Sequence, residues 1–179
     1  MVSNVQAPAM AVRATVAVLG AGSWGTALAA LTCGNGVATR LWGRDPKALA
    51  QIAASRRNAR YLPDLKLPAG LACVAELAEA VRGIDVALVV VPSHSFHEVL
   101  DEVAPLLSPG TGLAWATKGF EPGTGRFLHE LVAERLGGQA AQVGAEDDGG
   151  HELAVPNRVV ERDRGRKARR FHVDEAGVP

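Results

Sequence analysis

The chain has 179 residues, of which 47% are hydrophobic and 21% are charged, and its 19 basic side chains balance its 19 acidic ones. This length suits one domain of ordinary size, and the two cysteines are too few for a disulfide framework. No apolar run approaches the roughly 20 residues that span a membrane, and the first residues lack the pattern of a secretion signal. We therefore expect a cytoplasmic protein that neither enters a membrane nor, with its charges balanced, recruits nucleic acid.

Charge is spread unevenly along the chain. Residues 144–179 hold 15 of the 38 charged side chains and show neither helical nor alternating apolar periodicity. Such a segment has too few large apolar residues to offset the entropy lost on ordering it. The sequence therefore predicts a loose leader over residues 1–12, a folded domain over 13–143, and a disordered or aberrant tail over 144–179.

Within the predicted domain, short β-branched apolar runs alternate with segments rich in helix-forming residues. The predicted strands are 14–19, 37–42, 85–91 and 112–116, and the predicted helices are 25–32, 46–55, 74–81, 95–107 and 127–136. The run DVALVVV in 85–91 is apolar at every position after its first, which is typical of a strand in the middle of a parallel sheet. Strands that alternate with helices predict a doubly wound α/β fold with a parallel sheet covered on both faces.

A glycine-rich turn follows the first predicted strand. Gly20, Gly22 and Gly25 form a G-x-G-x-x-G pattern between an apolar strand and a helix of small residues, which is the context in which this pattern binds dinucleotides. The first glycine permits the tight turn, the second lets the backbone approach a pyrophosphate, and the third lets helix and strand pack closely. The helix that starts near Ser23 would then direct its amides at the phosphates. A purely structural tight turn is the alternative.

The end of the second predicted strand is where such domains distinguish NAD from NADP. An acidic residue there would bind the ribose 2′-hydroxyl, and a basic residue would accommodate a 2′-phosphate. Here Arg44 comes first and Asp45 follows. Because a guanidinium suits phosphate, we expect the protein to accept NADP and to favour it, although NAD remains open. The alternative is that Arg44 is an exposed charge beside a helix.

Five blocks of the chain together resemble one enzyme family. GAGSWGTALA, LWGRDP, NARYLP, VVVPSH and ATKGFEPGTG occur in the order and spacing of bacterial NAD(P)-dependent glycerol-3-phosphate dehydrogenases. The resemblance implies a Rossmann domain, hydride transfer between NAD(P)H and dihydroxyacetone phosphate or glycerol 3-phosphate, and a role in making glycerophospholipid precursors. It also implies that Ser23, Trp24 and Arg44 contact the cofactor, and that Lys118 lies against both cofactor and substrate.

The position of Lys118 supports that role independently. It follows the predicted strand 112–116, so it should lie at the carboxyl edge of the sheet, where open α/β sheets bind ligands. An ammonium at that edge can hold a phosphate or polarise a carbonyl. Residues 92–94 should line the same crevice. His94 and His97 are three residues apart, but no carboxylate or cysteine joins them at ligand spacing, so we expect no metal site.

The sequence departs from the family pattern after Val143. In the family, the chain continues with a GP motif that contains serine or threonine, and then with a helical substrate domain that carries a general-base lysine. This chain instead continues as GAEDDGG. The change is typical of a truncated or frame-shifted gene, with a genuine disordered tail as the alternative. We therefore weigh a dehydrogenase represented by its cofactor-binding half, with negligible turnover, against an inactive dinucleotide-binding module. The sequence does not indicate an oligomeric state.

Overall fold

The computed structural model describes residues 14–137 and 142–144. The strands in this part of the chain form one parallel sheet in the order β3-β2-β1-β4-β5-β6. This order reverses between β1 and β4, as in a Rossmann sheet, and it confirms the predicted doubly wound fold. The strands are β1 Thr15–Leu19, β2 Ala38–Trp42, β3 Ala72–Cys73, β4 Val86–Val89, β5 Gly112–Trp115 and β6 Gln142–Gly144.

The helices cross from strand to strand. They are α1 Ser23–Gly34, α2 Pro46–Ser55, α3 Leu77–Ala80, α4 Ser93–Val103 and α5 Leu128–Leu136, and α4 continues into a 3₁₀ turn at Ala104–Leu106. The bounds of α2 match the prediction. The helix predicted over 74–81 is only one turn long and begins at Leu77. Ala72 and Cys73 pair with β2, so the chain is still extended where the predicted helix would begin.

Two apolar cores lie on opposite faces of the sheet, since successive strand residues point to opposite sides. In β1, Val18 packs against α1 and α2 residues, whereas Ala17 and Leu19 face α4 and α5. On the second face, Phe96 of α4 meets Trp115 of β5 edge to face, with ring centroids 6.2 Å apart. This double cover is the reason that the central strands are apolar in both directions.

The described residues fall within the predicted domain apart from Gly144. The leader predicted over residues 1–12, and the tail predicted over 144–179 from residue 145 onward, lie outside the described residues. Within the described part of the chain, none of the helices combines the length and the apolar character that crossing a bilayer would need.

Candidate functional site

Four loops converge at the carboxyl edge of the sheet and line a cleft of about 750 Å³. The loops follow β1, β2, β4 and β5, so the cleft opens where the strand order reverses between β1 and β4. In open α/β sheets this is the position at which ligands bind, because the connecting chains part to opposite faces there. The 58–61 segment closes another side of the cleft.

The glycine turn, residues 20–25, has two glycines that packing requires. Gly20 has φ +132°, and a Cβ there would lie 2.1 Å from the Val90 carbonyl oxygen. A Cβ on Gly25 would lie 1.8 Å from the Gly20 carbonyl oxygen. Both positions therefore exclude any side chain for reasons internal to the fold. The turn passes close to the residue that follows β4, and α1 packs closely on the turn.

Gly22 differs from its two neighbours. Its φ is −75°, which any residue can adopt, and a Cβ there would have no protein atom within 4 Å. Gly22 lines the cleft, so the space that its missing side chain leaves belongs to the cleft. The fold itself therefore places no requirement on a glycine at this position, whereas a ligand that approaches the backbone would.

The N-terminal end of α1 faces this space. No side chain caps the helix at Gly22, and Ser23 and Trp24 form its first turn at the wall of the cleft. First-turn amides of a helix have no carbonyl partner within the helix, and the helix dipole places partial positive charge at this end. Trp24 is 57% exposed. The arrangement can hold a pyrophosphate on backbone amides beside an aromatic ring.

Asn58 supports the glycine turn from behind. Its side chain is buried, and its Nδ2 donates to the Ala21 carbonyl oxygen at 2.9 Å and to the Thr26 hydroxyl at 2.8 Å. One acceptor belongs to the turn itself, and the other follows it in the first turns of α1. Asn58 therefore helps to fix the shape of the turn, and it also lines the cleft.

The end of β2 approaches the glycine turn closely. A Cβ on Gly43 would lie 2.8 Å from the Cβ of Ala21, so the two loops touch. Asp45 is the N-cap of α2, and its Oδ1 accepts from the backbone amides of Lys47 at 3.0 Å and Ala48 at 3.1 Å. The carboxylate that follows β2 thus caps its own helix through Oδ1, and Asp45 also lines the cleft.

Arg44 lies at the cleft and is held from the opposite side by α4. Its Nη1 donates to Glu98 Oε2 at 3.0 Å, and its Nη2 donates to the Ser95 hydroxyl at 3.1 Å. The Arg44 side chain is 54% exposed, so it is neither buried nor an isolated surface charge. Arg44 therefore lies at the wall of the cleft, two residues beyond the end of β2.

Lys118 also lines the cleft, where the chain leaves β5. The Thr117 hydroxyl before it donates to the Val91 carbonyl oxygen at 2.8 Å and so joins the ends of β5 and β4. Pro92 lines the same wall, whereas Ser93 and His94 begin α4 and are not among the lining residues. The structure thus brings the predicted residues Gly20, Gly22, Ser23, Trp24, Gly25, Arg44 and Lys118 to one cleft.

The loop after Lys118 is anchored by a buried carboxylate. Glu121 accepts from the Thr124 hydroxyl, from Arg126 Nε at 3.1 Å, and pairs with His97 Nδ1 at 2.9 Å. Chiefly the Thr124 hydrogen bond, followed by those from Arg126 and His97, lowers the pKa of Glu121 from 4.5 to about 2. The carboxylate therefore stays charged and keeps the loop joined to α4.

His97 is occupied within this same cluster. Its Nε2 lies 3.2 Å from Asp101 Oδ2 and 2.8 Å from Arg135 Nη2. In residues 14–137 and 142–144, no group of three or more His, Cys, Asp or Glu side chains could hold a metal ion.

Three residues of this region were not identified by sequence reasoning: Asn58, Glu98 and Glu121. Asn58 carried the best signal, since an asparagine in a turn-rich stretch is a common backbone partner. Glu98 pairs with Arg44, 54 positions away, and no local pattern reports such pairing. Glu121 has near partners in Thr124 and Arg126, but its contact with His97 spans 24 positions.

Sequence comparison shows which known proteins the chain resembles. The sequence profile of the family described as "NAD-dependent glycerol-3-phosphate dehydrogenase N-terminus" matches residues 15–145. The glycerol-3-phosphate dehydrogenase [NAD(P)+] of Xylella fastidiosa strain M23 is 58% identical over 125 residues, which are 70% of this chain and 36% of that protein. The protein of the same name from Stenotrophomonas maltophilia strain K279a is 55% identical over 122 residues, with 68% and 36% covered.

Solved structures give the same result. The crystal structure of glycerol-3-phosphate dehydrogenase from Coxiella burnetii is 40% identical, with a TM-score of 0.69, and the match covers 74% of this chain and 40% of that one. The chain therefore spans little more than a third of the length of the curated relatives it matches.

Proposed function

The chain belongs to the family of NAD-dependent glycerol-3-phosphate dehydrogenases, whose N-terminal, NAD-binding part it matches, and from this premise we propose that residues 13–143 bind the cofactor of such an enzyme. The proposed reaction interconverts glycerol 3-phosphate and dihydroxyacetone phosphate. The bound nicotinamide would supply or accept the hydride, and the protein would supply binding and orientation.

The observation that carries this proposal is the contrast among the three glycines. Gly20 and Gly25 are explained by contacts inside the fold, whereas Gly22 borders open space in the cleft. A turn that served packing alone would gain from a side chain at that position, which would reduce the entropy of the unfolded chain. The bare backbone at Gly22 instead suits a pyrophosphate seated on the N-terminus of α1.

Two of the basic residues that line the cleft lie at the ends of different strands. Arg44 stands at the end of β2, where the adenosine end of a dinucleotide lies in Rossmann domains, and we propose that it favours NADP by contacting a 2′-phosphate. Lys118 stands beyond β5, on the other side of the glycine turn. Its ammonium would face the substrate, where it can hold a phosphate or polarise a carbonyl group.

A titration with NADPH and NADH tests cofactor binding. Trp24 and Trp42 line the cleft, so energy transfer from tryptophan to the reduced nicotinamide reports binding directly. Gly22→Val should abolish binding while the chain still folds, because the valine Cβ would have no protein atom within 4 Å and the φ of this residue is an ordinary one. Its branched side chain would occupy the space of the pyrophosphate.

Gly34→Val is the matched control. Gly34 ends α1, away from the cleft, and a Cβ there also has no atom within 4 Å. This variant should bind both cofactors as the unmodified chain does. Cofactor binding that survives Gly22→Val, or that is absent from the unmodified chain, would overturn the proposed function.

A further inference from the structure

The ion pair between Arg44 and Glu98 places a carboxylate next to the cation at the end of β2. Arg44 Nη1 and Glu98 Oε2 are 3.0 Å apart, and the two side chains are 54% and 60% exposed. Glu98 belongs to α4, which follows a different strand, so the pair bridges two of the loops that converge on the cleft. The guanidinium therefore faces any ligand with part of its charge already compensated.

Asp45 is the acidic residue closest to Arg44 in sequence, but its carboxylate has a different role. Its carboxylate caps α2 through the amides of Lys47 and Ala48. The acidic group that contacts Arg44 comes from α4 instead. We propose that Glu98 is a specificity-determining residue that lowers the preference for NADP over NAD by compensating Arg44, an inference that rests on the proposed cofactor-binding function.

The physical reason is the difference in charge between the two cofactors near Arg44. NADP carries a 2′-phosphate with up to two negative charges, whereas NAD has a neutral hydroxyl there. A carboxylate paired with the guanidinium opposes the phosphate and occupies one of the five N–H donors that would otherwise be available to it. The neutral hydroxyl of NAD does not experience this opposition. Glu98 thus acts on one cofactor much more than on the other.

The test compares the dissociation constants of NADPH and NADH for the unmodified chain, Glu98→Gln and Glu102→Gln. Glu98→Gln keeps the shape of the side chain and removes its charge. It should tighten NADPH about three- to fivefold, the scale of an exposed ion pair, and change NADH less than twofold. The gain should shrink at high salt, because screening weakens interactions between exposed charges.

Glu102→Gln is the matched control, because it removes the same charge from an exposed position one turn further along α4. It should leave the ratio of the two dissociation constants unchanged. Glu98→Ala should shift the ratio in the same direction as Glu98→Gln, which guards against an effect peculiar to the amide. Thermal unfolding of each variant verifies that the fold is retained.

The possible results separate the two proposals. If both cofactors bind and Glu98→Gln does not change the ratio of their dissociation constants, the role of Glu98 is overturned and the cofactor function stands. An equal change in the ratio on Glu102→Gln would also overturn that role, since the effect would then come from net charge. If neither cofactor binds the unmodified chain, the function itself fails and the role of Glu98 fails with it.

Discussion

The side-chain amide of Asn58 donates a hydrogen bond to the hydroxyl of Thr26, 2.8 Å away, and so joins the turn-rich 58–63 stretch to helix α1. A second bond from the same nitrogen reaches the Ala21 carbonyl oxygen. Asn58 is 3% exposed, and Thr26 is fully buried. The shape of the glycine turn therefore depends on a residue that lies 32 positions beyond α1's first turn.

Asn58→Ala should destabilise the protein. The substitution leaves the buried Thr26 hydroxyl and the partly buried Ala21 carbonyl oxygen without their donor, and such loss costs about 1–3 kcal/mol in the free energy of unfolding. Urea denaturation measures this cost. Asn35→Ala, at an exposed position just after α1, makes the same chemical change and should cost much less. Equal effects of the two substitutions would show that the Asn58 bonds do not stabilise the turn.

Asp45→Ala should lower stability while leaving the choice between NADPH and NADH unchanged. Its carboxylate accepts from two amides at the start of α2, and loss of such an N-cap costs about 0.5–2 kcal/mol. Asp45→Ser retains a capping oxygen and should recover most of the loss. A change in the ratio of the NADPH and NADH dissociation constants on Asp45→Ser would contradict this assignment, because it would mean that the carboxylate contacts the ribose.

Arg44→Ala should weaken NADPH more than NADH, by about 1–3 kcal/mol if a charged hydrogen bond to the 2′-phosphate is lost. Isothermal titration of both cofactors measures the difference. Arg82→Ala removes an exposed arginine outside the cleft and should leave both affinities unchanged. Equal weakening of the two cofactors by Arg44→Ala would mean that the guanidinium contacts the adenine instead of the phosphate.

Glu121 should make the stability of the protein depend on pH in the acid range. Its pKa in the folded state is about 2 and its ordinary value is 4.5, so the folded state binds this proton more weakly than the unfolded state does. The stabilisation is therefore complete above about pH 4.5 and is lost as the pH falls from there toward 2.

Thermal unfolding at a series of pH values, for the unmodified chain and for Glu121→Gln, checks this dependence. The stability advantage of the unmodified chain should shrink steadily below about pH 4.5, because the glutamine does not titrate. Glu102→Gln, on the exposed side of α4, is the control and should follow the unmodified chain closely. An advantage that stays constant down to the lowest pH at which the chain folds would refute the role of Glu121.

Several features of this protein could be predicted from local sequence. The alternation of apolar runs with helix formers predicts the central strands and the helices between them, because burial on both sides of a parallel sheet imposes that pattern. The start of α2 follows from Pro46 at its first position. The glycine turn could be placed because its three glycines, its strand and its helix are consecutive in the chain.

Other features depend on pairs of residues that only the fold brings together. The two-residue strand β3 exists because Ala72 and Cys73 pair with Arg40 and Leu41, and two residues carry no periodicity of their own. Sequence reasoning also located Arg44 at the cleft but not its partner Glu98, since an ion pair between residues 54 positions apart leaves no local trace.

The sequence by itself therefore determined the type of fold and the place of the glycine turn, because the apolar alternation and the glycine pattern can each be read from consecutive residues. The tertiary structure decided which carboxylate pairs with Arg44. Asp45 caps α2, and the partner of Arg44 is Glu98, which comes from α4. The charges around Arg44 come from segments that are distant in sequence, and only the packing of the fold brings these segments together.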